Sequence, residues 1–166
     1  MSLIRPLQAQ DLPQIWRINQ ANTPAVGGLD LAQLGRVVAQ SKVALVVEEG
    51  AVSGSEIPNG KILGFVICMA PDSSYTSPNF LFFTQRYDRF LYIDRVAVAE
   101  ASRGKGLGRR LYQALREQQS DPLACEVNTV PLNQSSLDFH AKLGFEPVGE
   151  GQAKGYGVRY LMRAAS

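Results

Sequence analysis

One histidine, two cysteines and one tryptophan are all that 166 residues hold of those types. So few soft or imidazole ligands leave little to build a metal site from, and Cys68 and Cys125 are not spaced as a ligand pair. Each lies in an apolar, strand-like run, "FVICMA" and "LACEV", and is expected to be a buried thiol. No metal is expected. No apolar stretch approaches the length of a membrane span. The segment "MSLIRPLQAQDL" lacks a basic part followed by a long apolar one, so neither membrane association nor a secretory signal is expected, and the expected location is cytoplasmic. Charge is scarce as well: 17 basic against 15 acidic side chains leave +2, too little for wholesale nucleic-acid binding, so any basic patch must be local. There is no internal repeat and no low-complexity segment. The length fits a single domain, residues 1–166, around one core.

What is present alternates between two periods. "SLIRPL" reads as a short strand, and "DLPQIWRINQAN" as a helix with Asp11 near its cap, Pro13 in its first turn, and Leu12, Ile15 and Trp16 at helical spacing. The breakers of "TPAVGG" precede a second helix over "LDLAQLGRVVAQ". "KVALVVEE" and "KILGFVICMA" are rich in β-branched residues and read as strands joined by "GAVSGSEIPNG", a flexible hairpin connection. Then come a strand over "RFLYIDRVAVA", a helix over "GKGLGRRLYQALREQQ", a strand over "PLACEVNT", a helix over "NQSSLDFHAKLG", and a closing strand "YGVRYLMRA" after "FEPVGE". An antiparallel front followed by alternating strands and helices predicts an α/β fold with a mixed sheet covered by helices.

The chemistry concentrates in "RVAVAEASRGKGLGRRLYQAL", residues 95–115, where a strand pattern gives way to a basic glycine cluster and then to a helix. A Walker loop needs Ser or Thr after its Gly-Lys, and Lys105 is followed by Gly106. A dinucleotide fingerprint needs G-x-G-x-x-G, whereas Gly104, Gly106 and Gly108 alternate, with no acidic residue ending a second parallel strand at the usual distance. What remains is a helix start whose N–H groups glycines leave uncovered, ringed by Arg103, Lys105 and Arg109. Such a turn is either an anion cradle or a solvated loop. Leu107, Leu111, Ala114 and Leu115 recur at helical spacing and would fix the helix to the sheet.

Arg103-Gly104-Lys105-Gly106-Leu107-Gly108 fits every position of Q/R-x-x-G-x-G/A, and at this point the chain resembles the GNAT-type N-acetyltransferase superfamily. The resemblance resumes in "CEVNTVPLNQSSLDFHAKLGFEPVG" and covers most of residues 90–149. It implies a GNAT-like twisted mixed sheet of about six to seven strands flanked by about four helices. It also implies acetyl-CoA as acetyl donor, with the coenzyme diphosphate on the N–H groups of residues 103–109. The pantetheine arm would lie along the backbone of Val96, Ala97 and Val98, where neighbouring strands diverge, and a fixed N–H there could stabilise the oxyanion of acetyl transfer. Asn133 resembles a family Asn that contacts the coenzyme, and is equally a helix cap.

The same resemblance frames the proton transfers. Family members place a Tyr as thiolate acid in "FY-x-K-L-G-F", where this chain reads Phe139-His140-Ala141-Lys142-Leu143-Gly144-Phe145. His140 is thus a candidate acid or a packing residue. Glu126 aligns with the base of the ribosomal-protein N-terminal acetyltransferases, while other subfamilies put the base where this chain has Tyr92 and Asp94, which period two places on one face. The base is any of these three or a water chain between them, and Glu126 could equally pair with an arginine. The acceptor, a small-molecule amine or a protein amino group, would meet "NQANTPAVGGLD" and "PDSSYTSPNFLFFTQRYDR". Tyr75, Phe80, Phe82, Phe83 and Tyr87 in the latter are an acceptor wall, the face of a homodimer, or core. Two other functions compete: an acyl-CoA binding or sensing module without turnover, and a nucleic-acid patch of Arg103, Lys105, Arg109 and Arg110. The second is disfavoured because no aromatics interleave the basic residues.

Overall fold

The computed structural model describes residues 2–50 and 60–165. In chain order these form β1 (Ser2–Pro6), α1 (Leu12–Ala21), α2 (Leu31–Gln40), β2 (Val43–Glu49), β3 (Ile62–Met69), α3 (Pro78–Thr84), β4 (Leu91–Val98), α4 (Leu107–Gln118), β5 (Leu123–Val130), α5 (Gln134–Lys142), β6 (Glu146–Ala153) and β7 (Tyr156–Arg163). Of the connection expected between the second and third strands, residues 51–59 lie outside the described residues. The strands make one sheet in the order β1-β2-β3-β4-β5-β7-β6. Every neighbouring pair is antiparallel except β4 with β5, which is the α/β mixed sheet expected from the alternation.

Both faces of the sheet are covered. On one, Ile15, Ile18, Leu34, Phe80 and Phe83 from α1, α2 and α3 pack on Val46, Phe65 and Tyr92. On the other, Leu107, Leu111 and Leu115 of α4 pack on Val66, Ile93 and Val127. Central β3 is therefore buried almost throughout, which explains its unbroken apolar run. Each Leu of that α4 stripe contributes about 1.5–3 kcal/mol by leaving water. Asp30 caps α2, its carboxylate accepting from the Gln33 N–H while the Gln33 side chain returns to the Asp30 N–H, a reciprocal arrangement worth about 1 kcal/mol. Cys68 and Cys125 are buried free thiols, and burial pushes both up from the ordinary thiol range.

Two elements depart from the sequence reading. The aromatic connection contains α3, entered through Pro78, with Phe80 and Phe83 buried beneath it. About two turns are too few to show a period, and aromatic burial stabilises what propensity alone would not. "FEPVGE" begins a full strand, β6, hairpinned to β7. Pro147, Gly149 and Gly151 disguise it. Gly149 is needed for close approach, because a Cβ there would sit 2.8 Å from Cζ of Phe82. That ring stacks on Tyr160 with centroids 3.7 Å apart and planes 7° apart.

The feature that positions the site is a fork. β4 pairs with β5 only at Leu91–Leu123 and Tyr92–Ala124, after which the strands part. On its other side β4 carries a bulge. Ile67 faces Arg95 and Cys68 faces Ile93, leaving Asp94 as the extra residue, so Asp94 and Arg95 can turn toward one another.

Candidate active site

A cleft of about 780 Å³ opens at the fork, within the range of small-molecule sites. Its walls are β4, β5, the loop after α1, the loop before α4 and the β6–β7 turn. The alternation of β4 decides which backbone groups look into it. The Ala99 N–H donates to the Leu63 carbonyl at 2.8 Å, so the alternate position Ala97 also bonds β3, while Val96 and Val98 face the gap. Of the three residues expected to offer backbone there, Ala97 also lines the cleft, but by this alternation its peptide groups turn to β3. Asn22 enters from the gap side, its amide donating to the Val98 carbonyl at 3.2 Å.

The glycine loop divides its labour. Gly104 has φ 77° and Gly106, the N-cap of α4, φ 75°, a region L side chains avoid. At neither would a Cβ meet any atom within 4 Å. The space in front of those residues is open. Gly108 is different: a Cβ there would lie 3.2 Å from Cζ of Phe139 on α5, so it serves helix packing. Arg103 donates to the Asn22 side-chain oxygen at 2.9 Å, Arg109 lines the cleft, Lys105 is exposed outside its lining, and Leu107 lies in the core below. Asn133 lines the cleft while capping α5, its side-chain oxygen accepting from the Ser136 N–H at 3.3 Å.

Glu126 projects from β5 at the fork. The Tyr92 hydroxyl donates to one carboxylate oxygen at 2.6 Å and the Asn79 amide to the other at 3.1 Å. Tyr160 donates to Asn79 in turn, at 3.1 Å. No arginine pairs with Glu126 among the described residues, where the salt bridges are those of Arg5, Arg89, Arg95 and Arg159. Burial pushes the Glu126 carboxyl up to about 8, helped by the negative Asp94 and opposed by the Tyr92 and Asn79 bonds and by Lys154. Its acidity thus lies near neutrality, where a proton acceptor is most useful. The Tyr92 hydroxyl is pushed up as well, by burial first and then by Glu126 and Asp94, which keeps it protonated. Asp94 is spoken for, accepting from the Tyr75 hydroxyl at 2.7 Å and from Arg95 at 2.8 Å. Arg95 also reaches the Asn19 side chain.

His140 is buried between α4 and α5. Its Nδ1 lies 2.7 Å from the Ser136 carbonyl, which can only accept, so Nδ1 carries the proton and Nε2 accepts from the Tyr112 hydroxyl at 2.8 Å. Burial pulls its pKa below the ordinary value, against the Ser136 bond. In this neutral form no His140 proton faces the cleft.

The fork therefore gathers Glu126, Tyr92, Asp94, Val96 and Val98 with the glycine loop and Asn133. Asn79, Tyr160, Asn22 and Tyr112 carry no sequence signal of their own. Asn79 sits in the aromatic segment singled out for the acceptor, but only the fold brings it to Glu126. Among the described residues no cluster of His, Cys, Asp and Glu could hold a metal, and no helix is long and apolar enough to cross a membrane.

Residues 31–145 match the acetyltransferase (GNAT) family. No curated protein matches the chain. Among solved structures, the ribosomal-protein-S18-alanine N-acetyltransferase of Escherichia coli is similar at TM-score 0.72 and 16% identity, over 100% of this chain and 95% of that one. The ribosomal-protein-alanine N-acetyltransferase of Brucella melitensis gives 0.68 and 24%, over 98% and 99%. NAA60 of Arabidopsis thaliana in complex with acetyl-CoA gives 0.71 and 14%, over 98% and 97%. At these identities the likeness is one of fold.

Proposed function

The chain belongs to the acetyltransferase (GNAT) family, and from that premise we propose that it is an acetyl-CoA dependent N-acetyltransferase acting on a primary amine of a small molecule or a peptide. The observation that carries the reading is the fork, where gap-facing backbone, an open glycine cradle and a carboxyl poised at about 8 meet in one cleft. The cradle fits a diphosphate: space is left where side chains would stand, and the adjoining helix supplies free N–H groups. The coenzyme, when bound, supplies the activated acetyl group. Residues 103–109 and Asn133 are assigned to its head, and Val96 and Val98 to the arm. Acetyl-CoA in the Arabidopsis protein and alanine acceptors in the bacterial ones support the reaction class.

Glu126 is assigned as base. In its ionised form it takes a proton from the acceptor ammonium, directly or through water, while Tyr92 and Asn79 fix its carboxylate plane. Asp94, held by Tyr75 and Arg95, acts on Glu126 through its charge. A gap-facing N–H of Val96 or Val98 is assigned to the oxyanion that develops on the acetyl carbonyl. His140 can act as an acid only when protonated on both nitrogens. Nε2 then donates to the Tyr112 oxygen, and the Tyr112 hydroxyl is freed to pass its own proton to the departing sulfur. Release of coenzyme thiol from acetyl-CoA across amines, amino acids and peptides tests the whole reading. Turnover on some acceptor is expected; coenzyme binding with silence on all of them would leave a binding module.

A further inference from the structure

The acceptor end of the cleft has a charge that the reaction does not use. The β6–β7 hairpin turns through Lys154 and Gly155, both at positive φ, 53° and 81°. Two-residue turns of this kind favour Asn or Gly at the first position, and a lysine is strained there. Strain at a cleft wall is a pointer to function when a second observation agrees. Here the second observation is charge. The cleft lining holds Arg95, Arg103, Arg109 and Lys154 against only two acids, Asp94 and Glu126. Asp94 is closed off by Arg95. Arg103 and Arg109 belong to the glycine-loop residues assigned to the coenzyme, and Arg103 donates to Asn22. Lys154 is exposed and forms no ion pair among the described residues, yet it lies close enough to Glu126 to lower that carboxyl's pKa.

Resting on the transferase reading above, we propose that Lys154 binds a carboxylate of the acceptor, so that the substrate is a primary amine that also carries an acidic group. The amine meets Glu126 and the acid meets Lys154. A diamine or polyamine would bring a second cation to a wall with no free acid to receive it, and is selected against.

The test compares 4-aminobutyrate, 4-aminobutan-1-ol and 1,4-diaminobutane as acceptors, with a parallel pair of peptides having Glu or Gln at the second position. The carboxylate should be favoured over the alcohol by about fivefold in kcat/KM, through KM, as befits one accessible ion pair. Preference among the free amines or within the peptide pair tells which source of the carboxylate the site takes. Lys154→Asn, which suits the turn, should keep or raise the melting temperature while bringing the ratio near one; Lys154→Arg should retain the ratio, and Lys154→Glu should favour the diamine. No preference for the acidic member among the free amines or within the peptide pair, or an unchanged ratio in Lys154→Asn, overturns the proposal and leaves the transferase standing. Silence on every amine overturns both.

Discussion

Glu126 is where opposing influences can be separated one residue at a time. Glu126→Gln should lower turnover by about a hundredfold to ten-thousandfold with coenzyme affinity nearly intact. Because the base must be ionised, the parent's kcat/KM should climb as pH rises through about 8, best seen with a weakly basic amine already neutral in that range. Tyr92→Phe or Asn79→Ala removes a bond that favours the carboxylate and should move the climb to higher pH. Asp94→Asn removes a repelling charge and should move it lower. The opposite directions would exclude Glu126 as the titrating group. On the far side of the fold, Asp11 is fully buried. Burial raises its pKa, but Arg5, bonded at 2.8 and 2.9 Å, and the Gln8 N–H outweigh that and hold it low. A carboxyl with a depressed folded pKa stabilises the fold above the ordinary carboxylate range and loses that contribution as pH falls through the folded value. Asp11→Ala should cost on the order of 3 kcal/mol in urea denaturation near neutrality, and much less in acid.

Elements differ in how plainly they speak through sequence. α4 was legible because Leu107, Leu111 and Leu115 repeat at its period and all are buried; Leu111→Ala should cost about 2–5 kcal/mol. The positive-φ glycines of the loop before it were legible as a turn with uncovered backbone, but not the separate duty of Gly108, since what Gly108 touches, Phe139, lies on another helix. Gly106→Ala should therefore weaken coenzyme binding in calorimetry and strain the turn by about 1–2 kcal/mol, whereas Gly108→Leu should lower the melting temperature first. α3 and β6 were hidden by brevity and by Pro and Gly. The bulge at Asp94 was hidden for another reason: period two correctly joins Tyr92 and Asp94, and nothing local announces that Arg95 turns in beside them. Glu126 could be named from its motif, but Asn79 and Tyr160 could not, because contacts across a sheet leave no local pattern.

At the scale of the molecule, the sheet is two blocks, β1 to β4 and β5 to β7, joined by the two pairings above the fork and by side chains that cross it. Tyr92 reaches Glu126, and α3 lays Phe82 and Phe83 on Tyr160. The fork leaves the peptide groups of Val96 and Val98 as an edge inside the sheet, and an edge is a place where a strand can be added. A coenzyme arm bound there is structural material that comes from outside the chain. A ligand that binds only the folded form, at a hundred times its dissociation constant, adds about 2.7 kcal/mol to the stability. The melting temperature should therefore rise with coenzyme concentration, and the Val96 and Val98 amides should exchange slowly with deuterium only when it is present. In a cell, copies without coenzyme would open more often and be the ones proteases degrade, so that the lifetime of the protein would follow the local coenzyme supply.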